Sequence, residues 1–295
     1  MEVANQKPWH GIGVQVDANL SSREMLYKAK LDWEVSKIPS QRPKSYGNQE
    51  TIRFFKGFCE AGEANIETVG GLDAARILWG LARLNVDFTL SGSDKVNGYL
   101  LLASRDVGRE KIDVHFMTVR ESCHNMLKIA SNAKPTVKNI FRRTFKPTFP
   151  FLNQKTQKFD DEMKVKVHAI ITQGREAIST FAEDARKLVS KNVDESMAWQ
   201  FFFDVFQPDT STSSLGEKKL EELAEKKTRL AIEAFSKAPG QKLESASMTA
   251  WGLLNAVTYT IDHHLGPNQD SRLRQAWFGP NAKLKKRALD LALAL

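Results

Sequence analysis

Asp262, His263 and His264 place three metal-ligating side chains in succession. Neighbouring helical residues point about 100° apart, so such a run reaches one ion only with donors from elsewhere. His115, His124, His168 and Cys123 are the other candidates. Cys123-His124 pairs a thiol with an imidazole, but sequence neighbours on a helix diverge, so the two do not form a nucleophile–base dyad. Cys123 is expected as a small core residue and His124 as a polar contact.

The stronger chemical signal is basic and aromatic. Between Lys134 and Lys158 stand seven cations and no acid: Lys134, Lys138, Arg142, Arg143, Lys146, Lys155 and Lys158. Phe141, Phe145, Phe149 and Phe151 are interleaved with them. Single strands are gripped by cations along the backbone and by aromatic faces under the bases. Lys283, Lys285, Lys286 and Arg287, with Arg272 and Arg274, form a second basic set near the C-terminus. Cations near a helix end have a simpler origin in the helix dipole.

Other chemistries lack their motifs. The chain has no Walker-type glycine loop, no GxSxG elbow and no HExxH pair. Gly11-Ile12-Gly13 lacks the third glycine and the preceding strand of a dinucleotide fingerprint. No catalytic residue, metal ligand set or cofactor is assigned. Of 295 residues, 41% are hydrophobic and 26% charged, an ordinary globular composition with enough apolar material for a sizeable core. Apolar runs fall far short of the ~20 residues of a membrane span, and the N-terminus reads without a secretory h-region. Two cysteines do not build a disulfide framework. The expected compartment is a reducing cytoplasm. The net charge of +8 is concentrated: residues 134–168 carry +6 and residues 271–295 carry +5, while residues 169–270 carry −4.

These groups must be positioned by recognisable elements. Ser21 and Ser22 cap a short helix over Arg23–Lys30, and residues 45–63 read as a short strand or helix. Asp73–Asn85 is ambiguous between helix and strand. Gly98–Arg105 and the alternating Lys111–Val119 read as strands. Glu121–Ala133 has helical composition. Phe159 to Leu188 recur at helical spacing over roughly ten turns, with Gly174 as a candidate break. Met197–Phe206 is a compact aromatic segment and 207–216 a polar linker. Further helices are expected over Glu217–Lys237, Ser245–His264 and Lys283–Leu295. The class is α+β: an antiparallel sheet followed by a helix, with a mostly helical C-terminal part. The expected division is a lead-in over 1–44, an α+β core with the basic connector over 45–160, and a helical region over 161–295.

Pro8-Trp9-His10-Gly11, the stretch Val119–Leu127, Trp251–Thr258 followed by Asp262-His263, and Phe278-Gly279 with Lys283 resemble the phage/plasmid-like protein family, a prophage-borne domain of unknown function. The family more often has an asparagine-threonine-leucine run where this chain has His124-Asn125-Met126-Leu127; Cys123 and Asn125 keep their places. Strands, a helix, a basic connector and further helices are also similar in order to the core of Red-beta-type single-strand annealing recombinases. That architectural likeness implies annealing without nucleotide or metal, a homo-oligomeric ring or filament, and single-stranded DNA as partner, with double-stranded DNA left open. Arg120, Asn125 and the seven cations of 134–158 are the expected strand contacts, in a bacterial host's cytoplasm. A metal-dependent enzyme acting on nucleic acid through Asp262 and His263, and a phage–host interaction protein whose basic patch meets an acidic surface, are the alternatives.

Overall fold

The computed structural model describes residues 7–31, 48–105, 112–129, 161–208 and 216–295. Its centre is a six-stranded antiparallel meander in chain order: β1 (Gly13–Gln15), β2 (Asn65–Leu72), β3 (Ile77–Leu90), β4 (Asp94–Arg105), β5 (Ile112–Arg120) and β6 (Met126–Ile129). Helices α1 (Ser22–Lys28) and α2 (Asn48–Ala61) precede β2. After the sheet come α3 (Asp161–Ser190), α4 (Glu195–Phe206), α5 (Glu217–Lys237), α6 (Ala250–His263), α7 (Gln269–Phe278) and α8 (Pro280–Ala294). The expected α+β class, with helices mostly in the C-terminal half, is what the fold shows.

Local chemistry explains the boundaries. Ser21 caps α1 through a reciprocal box with Glu24, satisfying two otherwise orphaned amides. The ambiguous 73–85 stretch resolves into a turn and a strand. Asp73, Ala74 and Ala75 turn in the left-handed region, with φ of 54°, 52° and 60°, and the Asp270 carboxylate accepts the Asp73 amide at 3.0 Å. Of the 45–63 stretch, Asn48–Ala61 forms the helix α2, whose Phe54, Phe55 and Phe58 are all buried.

The helix expected over 121–133 is corrected for residues 121–129; residues 130–133 lie outside the described residues. Residues 121–123 form a turn and Met126–Ile129 pair with Phe116–Val119 as a strand. Met126, Leu127 and Ile129 are buried while Lys128 is exposed. A left-handed His124 (φ 54°) reverses the chain too tightly for a helix to start there. The helix expected to begin at Ser245 starts at Ala250, capped by Thr249, and α7 is an additional helix.

Two helices cover one face of the sheet. A Cβ on Gly80 would lie against Phe55 of α2, and one on Gly98 against Ile178 of α3. Helix α3 runs unbroken through Gly174 for 30 residues, about eight turns rather than ten. Gly174 is a contact point, not a break: a Cβ there would stand 2.0 Å from the Phe116 ring. Arg175 pins the same helix by donating to the carbonyls of Leu84, Gly62 and Glu63 at 3.0–3.1 Å. On the other face Trp79 lies across Gly70 and Gly13, its cross-strand neighbours. Its indole meets Trp277 of α7 edge-on at 5.2 Å. Helix α6, buried from Ala250 to Asp262, packs against α3, α5, α7 and α8. One continuous apolar cluster joins sheet and helices, from Trp9 to Ala292. Among the described residues no helix is long and apolar enough to cross a membrane.

Candidate functional site

The β5–β6 connection is the point where sheet and C-terminal helices are tied together. His124 N–H donates to the Arg120 carbonyl at 2.7 Å, Arg120 N–H to the Asn125 carbonyl at 3.2 Å, and Glu121 N–H to the Lys95 carbonyl at 2.9 Å. This compact turn sits over two carboxylates delivered from far along the chain.

The first is Asp94, at the start of β4. Its Oδ1 accepts from Arg120 Nε at 2.7 Å; its Oδ2 accepts from Ser245 Oγ at 2.6 Å and Trp251 Nε1 at 3.0 Å. Arg120 also donates from Nη2 to the Gly240 carbonyl at 2.8 Å. Asp94 is fully buried and Arg120 is 2% exposed. A buried ion pair of this kind persists only when extra hydrogen bonds satisfy the remaining lone pairs, and the two further donors do that for Asp94.

The second is Asp262, near the end of α6. Its Oδ2 accepts the Met126 amide at 2.9 Å and its Oδ1 accepts from Lys285 of α8. Lys285 donates also to the Met126 carbonyl at 2.6 Å. Carboxylate and ammonium thus take up both backbone groups of Met126 on the edge strand, as a neighbouring strand would. Burial pushes the Lys285 ammonium pKa down, and Asp262 opposes that shift. Between the two carboxylates, Asn125 Nδ2 donates to the Asn255 carbonyl at 2.9 Å, and Asn255 Nδ2 to the Trp251 carbonyl at 2.8 Å.

This geometry reassigns several candidates. Arg120 and Asn125, expected as strand contacts, are buried (Asn125 is 4% exposed) and bonded inside the protein, so neither presents itself to a ligand. Cys123 is buried, and burial raises its thiol pKa, the opposite of an activated nucleophile. Asp262 is engaged by Met126 and Lys285. His263 stacks on Tyr259 at 4.4 Å, and burial lowers its pKa to about 4. Among the described residues no group of three or more His, Cys, Asp or Glu is placed to hold a metal ion. In the second basic set Lys285 is 3% exposed, Lys286 pairs with Asp290 at 2.6 Å and Arg287 donates to the Gln207 carbonyl at 2.8 Å. Lys134, Lys138, Arg142, Arg143, Lys146, Lys155 and Lys158 lie outside the described residues.

Sequence reasoning missed Asp94 and Ser245, and placed Lys285 in a basic set although it is buried against Asp262. A usable signal existed for Lys285, which shares the buried stripe of Ala288 and Ala292 at helical spacing. Trp251, Asn255, Thr258 and Asp262 likewise recur along α6, and all four are buried.

Residues 37–286 match the model of a family described as a domain of unknown function (DUF932), and the chain belongs to that family. No curated protein and no solved structure gives a match. The stretches that suggested a family resemblance, Val119–Leu127, Trp251–Thr258 and Asp262-His263, are the ones that meet in the buried network. Pro8-Trp9-His10-Gly11 is held beside α7, where Gln269 Nε2 donates to the Pro8 carbonyl at 2.7 Å and to that of His10. The network's hydrogen bonds tie β6 and the turn before it to α6 and α8.

Proposed function

We propose that the protein binds single-stranded DNA and anneals complementary strands without nucleotide or metal, as a phage-type recombination protein in a bacterial cytoplasm. One observation carries the reading: seven cations without an acid, interleaved with four phenylalanines, between the last strand of the sheet and the long helix α3. Such a segment neutralises phosphates and offers ring faces to bases. In this reading, Lys134, Lys138, Arg142, Arg143, Lys146, Lys155 and Lys158 contact the strand, and Arg120 and Asn125 hold the turn preceding the segment. The protein acts as a homo-oligomer, and double-stranded DNA remains a second ligand to test.

Fluorescence anisotropy with a labelled oligonucleotide, titrated across salt, tests the contacts. Arg142→Ala with Arg143→Ala is expected to weaken binding on all sequences alike and to flatten the slope of log K against log salt by about two, roughly one per lost phosphate contact. An unchanged slope removes these arginines from the interface.

A further inference from the structure

We draw no further inference here: the strongest candidate, the surface groove between α4 and the end of α8 lined by Met197, Phe201, Leu291 and Leu295, is an apolar face, and nothing in the structure shows what covers it.

Discussion

Replacing Asp94 by alanine probes the junction of sheet and helices most severely. The substitution strips the buried Arg120 guanidinium of its carboxylate partner at 2.7 Å and leaves Ser245 Oγ and Trp251 Nε1 without their acceptor. Breaking a buried pair on one side costs about 3–5 kcal/mol, because a charge stays buried without compensation. Against the roughly 5–15 kcal/mol that holds a typical domain folded, this is a large fraction. At roughly 2–4 °C per kcal/mol for a chain of more than 150 residues, the melting temperature should fall by about 10 °C. Urea denaturation gives the free energy directly. The double variant Asp94→Leu with Arg120→Met removes both charges and should recover much of the loss, since an apolar pair of similar volume often replaces a buried ion pair at little cost. A single variant within about 1 kcal/mol of wild type, or a double variant as unstable as the sum of the singles, refutes the reasoning.

Gly174→Ala should destabilise the protein by about 1–3 kcal/mol despite the better helix propensity of alanine, because the added methyl enters the Phe116 ring; a raised melting temperature would contradict the packing. His263 has its pKa lowered by burial from 6.5 to about 4. The unfolded chain therefore binds the extra proton first, and stability present above pH 6.5 is lost as pH falls towards 4, by up to about 3 kcal/mol. Comparing urea midpoints of the wild type and His263→Gln across that window isolates the histidine; parallel pH profiles would assign the shift elsewhere. Lys285→Met leaves Asp262 buried without its cation and frees the Met126 carbonyl. It should cost about 3–5 kcal/mol by chemical denaturation, with hydrogen exchange of the β6 amides accelerating before that of β3 and β4.

Where the chemistry was local, the sequence was readable. The alternation of Ile112, Val114 and Phe116 marked β5, and the apolar stripe of 217–237 marked α5 at both ends. Strand β2 was hidden because Gly70-Gly71 looks like a turn. The glycine at 70 is there for the Trp79 indole, which would stand 2.5 Å from any Cβ. Strand β6 was hidden because four residues are too few to distinguish an alternating pattern from a helical one. The buried network was legible only in part. Its blocks around Cys123, Trp251 and Asp262 suggested a family, yet their meeting depends on Asp94 finding Ser245 and Trp251 more than 150 residues away. No spacing rule reaches that far. Arg120 looked like a ligand contact for the same reason: a cation beside a turn gives no sign of a distant carboxylate.

Strand binding and annealing by the basic segment are open to direct assay. Two complementary labelled oligonucleotides are mixed with the full-length protein, with chelator present and no nucleotide added. Duplex formation should be faster at protein concentrations that coat the strand, and the acceleration should be lost when Arg142 and Arg143 are changed to alanine. Annealing no faster than in buffer, together with no detectable binding to either strand, would contradict the strand-binding reading and leave the basic segment free to meet an acidic protein surface.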